Sequence, residues 1–196
     1  MMKSELRKLY LEKRRALSAA EHSALSEKIA RVFFDEVDLA GIVLVHCFIS
    51  MSHTGEVETT PIFSRLWREF PGIKTFAPRV NDTTGEIDSI AYSAETSLLE
   101  HRWGIPEPTN GESADPKTID LVIVPLVCFD QRGYRVGYGK GFYDRFLNRC
   151  RPDCLKVGLS FFPPIEKIDD VHDGDVLLNY CVTPSELYCF DKMERG

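Results

Sequence analysis

The stretch IDLVIVPLVCFDQRGYRVGYGKGFYD, residues 119–144, decides the fold class of this chain of 196 residues. It begins with an apolar run typical of a strand that is buried on both faces of a sheet, and Pro125 within the run predicts a bend or an edge position. A turn at 130–133 follows, then a glycine-rich loop at 137–141, then a helix from about Phe142. A strand, a glycine-rich loop and a helix in this order are typical of phosphate-binding turns in α/β proteins.

Helical and strand patterns alternate on both sides of this stretch. Apolar residues at helical spacing predict an amphipathic helix before Leu17, and a capping box that joins Ser18 and Glu21 predicts a second helix to about Phe34. This alternation predicts one α/β domain, residues 1–196, with three layers: a mostly parallel sheet flanked by helices. Further strands are expected at 41–50, 73–77, 87–92, 155–161 and 180–183, with a helix at 60–70 and a loop at 104–118.

Composition and charge exclude several classes of function. Hydrophobic residues make up 43% of the chain and charged residues 28%, which is typical of a soluble globular protein. The net charge of -6 argues against nucleic acid or an anionic membrane as a partner. Residues 1–15 lack the apolar core of a signal peptide, and no stretch is long enough to span a bilayer. We therefore expect a cytoplasmic protein, most simply a monomer.

The six cysteines are expected to be reduced thiols. Cys47 and Cys128 lie inside apolar runs, where a small buried thiol is the simplest interpretation. Cys150 and Cys154 form a C-x3-C pair, but no second ligand pair with zinc spacing accompanies them. We therefore predict neither a disulfide framework nor a metal knuckle.

Alternate glycines give the loop at 137–141 its predicted chemistry. Without side chains, their backbone can turn several N–H groups toward one anion, and the following helix adds the positive end of its dipole. The pattern matches neither G-x-x-x-x-G-K-[ST] nor G-x-G-x-x-G, so a plain glycine-rich turn, with Arg149 on a solvated helix face, stays an alternative. The cations in and near the loop are Lys140, Arg132, Arg135, Arg145 and Arg149.

Asp144 follows the loop in the first turn of the predicted helix, and its position allows two interpretations. A carboxylate there favours the helix dipole. Beside a polyphosphate it would instead be a natural magnesium ligand, because Mg²⁺ takes one or two carboxylates together with phosphate oxygens and water. Position alone does not distinguish the two.

The run RVGYGKGFYD at 135–144 resembles the signature of the 5-formyltetrahydrofolate cyclo-ligase family. Four further stretches resemble family elements in the same order: KSELR at 3–7, EVET at 56–59, FAPR at 76–79 and WGIPEP at 103–108. The resemblance implies an α/β scaffold like those of sugar-phosphate isomerases and CoA transferases. It also implies a ligase that converts 5-formyltetrahydrofolate to 5,10-methenyltetrahydrofolate with ATP and Mg²⁺.

The resemblance further implies roles for individual residues. Lys140 and Arg135 would balance the charge that develops during phosphoryl transfer, and Glu56 would hydrogen-bond the pterin ring. The magnesium ligands would be Asp144 and Asp175. The ATP ligands would be Lys3, Arg7, Arg135, Val136, Gly137, Tyr138, Gly139, Lys140, Gly141, Phe142 and Tyr143. The folate site would comprise Ile49, Glu56, Trp103, Tyr138, Gly139, Lys140, Gly141, Phe142 and Tyr143, with Phe48 as a further apolar wall.

The sequence departs from the family pattern in two places. The loop at 51–56 is slightly longer than usual, which leaves the placement of Phe48 and Ile49 open. Near the C-terminus the family has H-D-x-x-[LV]-D, whereas this chain reads HDGDVLLN at 172–179. Anchoring on the last strand makes Asp175 the second metal ligand, and anchoring on His-Asp makes it Asp173; we favour Asp175.

Two other functions fit the same loop. A phosphosugar isomerase or CoA transferase-like enzyme would keep the phosphate site without ATP, but no convincing general base or glutamyl nucleophile can be placed for it. A nucleotide- or folate-binding protein without turnover is the second alternative, and Lys140 together with Asp144 argues against it. Arg79 could meet a phosphate or a carboxylate, and its role stays open.

Overall fold

The computed structural model describes residues 1–100 and 104–190, so the predicted folate residue Trp103 lies outside the described chain. The helices are α1 (Lys3–Arg15), α2 (Ala19–Glu36), α3 (Thr60–Glu69) and α4 (Phe142–Arg149). The strands are β1 (Leu44–Cys47), β2 (Lys74–Val80), β3 (Ile87–Ala91), β4 (Leu98–Glu100), β5 (Pro106–Pro108), β6 (Ser113–Ala114), β7 (Leu121–Val124), β8 (Cys128–Phe129), β9 (Arg135–Val136), β10 (Leu155–Leu159), β11 (Tyr180–Val182) and β12 (Leu187–Cys189). Short 3₁₀ turns cover Ser52–Thr54 and Pro116–Thr118.

An eight-stranded sheet in the order β12-β11-β10-β7-β1-β2-β3-β6 forms the centre of the described chain. The strands from β11 to β2 in this order run parallel. Antiparallel strands close both edges, with β12 on one side and β3 and β6 on the other. The predicted α/β fold with a mostly parallel sheet is confirmed. A β4–β5 pair and a β8–β9 hairpin stand apart from this sheet.

Strand β7 shows how the sequence builds the three layers. All four of its residues are fully buried, and because strand side chains alternate between faces they enter two different cores. Leu121 and Ile123 pack with α2 and α3, whereas Val122 and Val124 pack with Phe146 of α4. Full burial of one such side chain contributes about 1.5–3 kcal/mol. One strand therefore anchors the helical layers on both faces.

The structure differs from the predicted strands in several places, three of which concern the main sheet and the loop at 104–118. Strand β7 lies at the centre of the sheet and ends before Pro125, so the proline marks a bend and not an edge. The predicted loop at 104–118 contains β5 and β6, and β12 follows the strand that was expected to be last. These three strands have only two or three residues. That length is too short to show an alternating pattern in the sequence.

The strand order changes direction between β1 and β7. Strand β2 lies on one side of β1, and β7 lies on the other side. In open α/β sheets, ligands bind in the crevice outside the carboxyl ends of the strands at such a switch point. Residues 48–59 leave the sheet after β1 and residues 125–144 leave it after β7. These two segments are therefore the ones placed to build a site.

Helix α2 begins where the capping box predicts. The Ser18 Oγ accepts a hydrogen bond from the Glu21 N–H at 3.3 Å, and the Glu21 carboxylate accepts one from the Ser18 N–H at 2.9 Å. Helix α2 has 18 residues. Over residues 1–100 and 104–190, neither α2 nor another helix combines the length and the apolar character needed to cross a membrane.

Helix α1 lies against the β8–β9 hairpin, away from the main layers. Its buried Leu6 and Tyr10 form a separate core with Val127 and Val136. This contact brings the N-terminal helix next to the glycine-rich loop, since β9 leads directly into residue 137.

Gly158 in β10 has no side chain, which leaves space for the side chains of Leu126 and Leu178. A Cβ built there would lie 2.5 Å from Leu126 Cδ2 and 2.8 Å from Leu178 Cδ1. We predict that Gly158→Ala lowers the free energy of unfolding by about 1–3 kcal/mol, the usual cost of overpacking, as measured by urea denaturation. Gly72→Ala is the control, because a Cβ at Gly72 meets nothing within 4 Å. Equal losses in the two variants would contradict the packing argument.

Candidate active site

The loop at 137–141 joins the β8–β9 hairpin to α4. Gly139 and Gly141 have φ angles of +92° and +65°, in the backbone region that favours glycine. Within the described chain, the N–H groups of residues 137–141 donate no hydrogen bond. Since the N-terminus of α4 follows directly, these donors are suited to an anion. Val136, just before the loop, is fully buried, so only its backbone is available to a ligand.

Helix α1 brings two predicted ATP ligands to this region. Arg7 Nε donates a hydrogen bond to the Gly137 carbonyl at 2.8 Å, and a Cβ at Gly139 would lie 3.4 Å from Arg7 Cζ. Lys3, one turn earlier, donates from Nζ to Asp175 Oδ2 at 2.5 Å. The structure therefore places Arg7 against the loop itself and Lys3 against a predicted metal ligand.

Arg135 and Asp144 form the ionic centre of the site. Arg135 exposes only 7% of its surface, and its Nη2 donates to Asp144 Oδ1 at 2.7 Å. Its Nη1 donates to the Val176 carbonyl, while the Val176 N–H donates to the same Asp144 oxygen at 3.1 Å. Burial lowers the pKa of Arg135, and the neighbouring Asp144 charge opposes that shift. Within the described chain, Asp144 Oδ2 accepts no hydrogen bond and is open to a further ligand.

Asp175 lies beside this centre and is already paired. Its Oδ2 accepts from Lys3 and from the His172 N–H at 2.9 Å, and the His172 ring lies 3.3 Å from Oδ1. Burial acts to raise the pKa of Asp175, but the bonds from Lys3 and His172 outweigh it, so the pKa is lowered. Asp173 is exposed and makes no hydrogen bond or ion pair with the described residues. The structure thus brings Asp175, and not Asp173, to the ionic centre.

These two carboxylates decide whether a magnesium ion fits. Among residues 1–100 and 104–190, no group of three His, Cys, Asp or Glu side chains could hold a metal ion. A nucleotide-bound Mg²⁺ needs only one or two carboxylates, because phosphate oxygens and water occupy its other positions. The open oxygen of Asp144 fits that requirement. Asp175 could serve as a second ligand only after Lys3 has moved from its carboxylate to another partner.

The other basic residues near the loop fall into two groups. Lys140 is exposed and Arg79 is half-buried in β2, and neither side chain makes a hydrogen bond or ion pair with the described residues. Arg145 donates to backbone carbonyls, including that of Lys140 at 3.1 Å. Arg132 and Arg149 are ion-paired elsewhere, so neither supplies a free cation to the loop. Their partners are Asp130 at 2.7 Å and Glu86 at 3.0 Å.

Glu56 lies buried on the other side of the loop. It exposes 4% of its surface and accepts a hydrogen bond from the Met51 N–H at 2.8 Å, and the Tyr138 hydroxyl interacts with its carboxylate. Burial raises the pKa of Glu56, and these two interactions and the Arg14 charge partly offset the rise. A carboxylate has about four lone-pair sites, so this one can still pair with two adjacent N–H donors of a flat heterocycle.

The residues predicted as apolar walls take different positions. Ile49, Phe142 and Tyr143 are half-buried and can present part of their surface to a ligand. Phe48 belongs to the main core with 5% exposure, so it lies beneath the site and not along it. Trp103 is outside the described residues, and its role stays a prediction.

The sequence reasoning missed His46, a fully buried histidine in β1. Its Nδ1 lies 2.8 Å from Ser89 Oγ, and its Nε2 lies 3.3 Å from the Tyr143 hydroxyl. Burial lowers the pKa of His46 to about 3, so the ring is neutral near pH 7. The contact orients Tyr143 at the start of α4. One imidazole within the apolar run at 41–50 was the available signal.

Arg14 in α1 was missed as well. Leu6, Tyr10 and Arg14 are the buried residues of this helix and recur every four positions. Arg14 therefore occupies a place where the helical period predicts an apolar side chain. Its Nη1 donates to the Tyr138 hydroxyl at 3.0 Å. A charged residue within the apolar stripe was the signal in the sequence.

Comparison with known proteins identifies the family of this chain. Residues 1–169 match the sequence profile of the 5-formyltetrahydrofolate cyclo-ligase family. The chain is 28% identical over 182 residues to 5-formyltetrahydrofolate cyclo-ligase of Escherichia coli K12, covering 90% of this chain and 97% of that protein. It is 31% identical over 155 residues to 5-formyltetrahydrofolate cyclo-ligase of Mus musculus, covering 76% and 74%. The NMR structure of Aquifex aeolicus 5,10-methenyltetrahydrofolate synthetase aligns with a TM-score of 0.83 and 33% identity, covering 97% of this chain and 94% of that chain.

Neutral, buried His46 makes the stability of the fold depend on pH. Its folded pKa of about 3 lies below the ordinary value of 6.5, so the unfolded chain takes up the extra proton as the pH falls. Stability therefore falls with pH below about 6.5, and we predict a loss of about 2 kcal/mol in the free energy of unfolding from pH 7 to pH 5. Urea denaturation at both pH values measures it. His46→Gln should lose this part of the dependence, whereas His53→Gln, at an exposed histidine, should keep it; equal pH dependence in both variants would contradict the assignment.

Proposed function

Because the chain belongs to the 5-formyltetrahydrofolate cyclo-ligase family, we propose that this site carries out the family's reaction, with ATP at the glycine-rich loop and the folate beside Glu56. The reaction converts 5-formyltetrahydrofolate to 5,10-methenyltetrahydrofolate and hydrolyses ATP to ADP and phosphate. The protein is an ATP-dependent ligase of one-carbon metabolism. A cytoplasmic location and a monomeric state belong to the same proposal.

The chemical obstacle is the formyl oxygen, which is a very poor leaving group. In the proposed path this oxygen attacks the γ-phosphorus of ATP, so an O–P bond forms while the bond to the bridging oxygen of ADP breaks. The N10 amine then closes the ring on the activated carbon, and inorganic phosphate leaves with the former formyl oxygen. No protein group is covalently modified. The protein therefore contributes alignment and charge neutralisation.

The single observation that carries the proposal is the set of open groups at the N-terminus of α4. The N–H donors of 137–141, the Lys140 ammonium and one oxygen of Asp144 all lack partners in the described chain. Backbone donors and a helix N-terminus are suited to the triphosphate, and Lys140 is free to follow the phosphoryl group in transfer. Arg135, held by Asp144 and the Val176 carbonyl, is the fixed cation.

Asp144 and Asp175 would hold magnesium. When bound, Mg²⁺ neutralises phosphate charge and links the nucleotide to the protein. Asp144 would use its open Oδ2. Asp175 would become available when Lys3 turns from its carboxylate to a phosphate, an exchange that leaves every charge with a partner.

Glu56 would bind the pterin, since one carboxylate can accept hydrogen bonds from an adjacent ring N–H and amino group. Tyr138 touches Glu56 from within the glycine-rich loop, so the folate and the phosphates would lie on two sides of the same short segment. That placement suits a direct reaction between the formyl oxygen and ATP.

The decisive assay supplies 5-formyltetrahydrofolate, ATP and Mg²⁺ and follows the absorbance of the methenyl product. Product that requires ATP supports the proposal. Tight folate binding without product would indicate a binding protein, and no response to folate would leave a phosphosugar enzyme as the better account.

Lys140→Ala should lower kcat by about 10²–10³-fold, because it removes a cation that acts on the developing phosphoryl charge. The free energy of unfolding should change by less than about 0.5 kcal/mol, since the side chain is exposed and unpaired. Lys28→Ala is the matched control, at an exposed lysine of α2 remote from the loop. A Lys140→Ala enzyme as active as this control would remove Lys140 from the mechanism.

Asp144→Asn should raise the Mg²⁺ concentration for half-maximal activity by about 10–100-fold, or abolish activity, because it removes the charge of the open oxygen. A Mg²⁺ titration of initial rates measures the effect. Asp173→Asn should leave the titration unchanged, since Asp173 lies outside the ionic centre. Wild-type metal dependence in Asp144→Asn would refute the ligand assignment.

A further inference from the structure

Arg14 is a buried cation without a carboxylate in direct contact. It exposes 2% of its surface, and Nη2 donates to the Leu126 carbonyl and to the Val127 carbonyl at 3.3 Å. Its Nη1 donates to the Tyr138 hydroxyl at 3.0 Å, while Nε has no acceptor among residues 1–100 and 104–190. Removing a charge from water is costly unless the charge is paired. A buried arginine at this position therefore calls for a role that a neutral side chain could not fill.

The Tyr138 hydroxyl transmits the effect of Arg14 to Glu56. It accepts a hydrogen bond from Arg14 at 3.0 Å, and its interaction with the Glu56 carboxylate acts to lower the pKa of that carboxylate. The Met51 N–H donates to the same carboxylate at 2.8 Å. The Tyr138 phenol therefore links the Arg14 guanidinium to the Glu56 carboxylate.

A purely structural role is the competing explanation. The two carbonyl contacts of Arg14 tie α1 to the segment that follows β7, and this anchoring alone could retain the residue. It does not account for the third contact, which is directed at the one tyrosine that also touches Glu56. Neutral donors can satisfy carbonyl oxygens, whereas a carboxylate buried to 4% exposure gains from a nearby positive charge.

We propose that Arg14 is a positioning residue for folate binding: acting through Tyr138, it keeps the Glu56 carboxylate charged and oriented toward the pterin. This inference rests on the proposed function, in which Glu56 receives the ring N–H and amino donors. Because Tyr138 belongs to the loop at 137–141, the same contact also ties the position of the phosphate loop to the folate carboxylate.

The groups that face Glu56 come from three elements and its own loop. Arg14 of α1 is the cation among the described groups, and the Tyr138 hydroxyl interacts with the carboxylate. Tyr143 of α4 interacts with Glu56 electrostatically, and its phenol is deeply buried and uncharged, with its pKa raised by that burial. Met51 contributes its backbone N–H. Among residues 1–100 and 104–190, removal of Arg14 therefore leaves no cation that acts on the carboxylate, and burial then favours its protonated form.

The test measures KM for 5-formyltetrahydrofolate and for ATP between pH 6.5 and pH 9 in wild type, Arg14→Met and Arg14→Lys. In Arg14→Met the folate KM should rise at least about tenfold at pH 7 and recover toward the wild-type value as the pH increases. Loss of the cation raises the pKa of Glu56, and a protonated carboxyl cannot accept both pterin donors. The KM for ATP should change less than about threefold. Arg14→Lys keeps the charge and should restore most of the wild-type pH profile.

Two controls keep the outcomes distinct. Tyr138→Phe removes this link while Arg14 keeps its carbonyl contacts, so it should show the same pH-dependent folate KM, and it decides the question if Arg14→Met does not fold. Glu56→Gln tests the underlying function. If Glu56→Gln leaves the folate KM unchanged, the proposed folate site is wrong. If Glu56→Gln raises that KM but Arg14→Met and Tyr138→Phe alter both substrates equally and independently of pH, only the positioning role is overturned.

Discussion

The burial of β7 on both faces of the sheet is the constraint on which the rest of the structure depends. A strand with both faces packed must also pair along both edges, so β1 and β10 flank it in parallel. Parallel strands end on the same side of a sheet, and Pro125 stops the ladder there. The chain then continues into the hairpin, the glycine-rich loop and α4. Their position next to residues 48–59 follows from the burial of four apolar side chains.

Paired charges explain how many ionic groups coexist in a partly buried site. Arg135 is bound to Asp144 at 2.7 Å and Lys3 to Asp175 at 2.5 Å. An isolated buried ion costs several kcal/mol, so a ligand that displaces one partner must supply another. In the proposed function a nucleotide with its divalent cation would do this, because its phosphates would meet the basic side chains while the cation would meet the carboxylates. On that proposal the site would favour a metal–nucleotide complex over either component alone.

Three elements could be predicted from the sequence because each has either a long apolar run or a distinctive set of residue types. Strand β7, the capped start of α2 and the glycine-rich loop were predicted from apolar runs, a capping box and alternate glycines, and the structure places them as expected. The choice between Asp173 and Asp175 depends on how the C-terminal segment folds against α1, which no local pattern reveals. The burial of Arg14 likewise depends on the packing of the β8–β9 hairpin. Roles assigned to single residues came from resemblance and stay predictions.

Helix α1 contacts segments that are distant along the chain. Arg14 lies 124 residues from Tyr138, Arg7 lies 130 from Gly137, and Lys3 lies 172 from Asp175. Closing such long loops is entropically costly and slow. During translation residues 3–15 emerge before these partners, so Arg7 and Arg14 reach theirs only after residues 137 and 138 have left the ribosome, and Lys3 only after residue 175. If these residues bind ATP as proposed, the complete nucleotide site therefore forms only after residue 175 has been synthesised and has folded against α1.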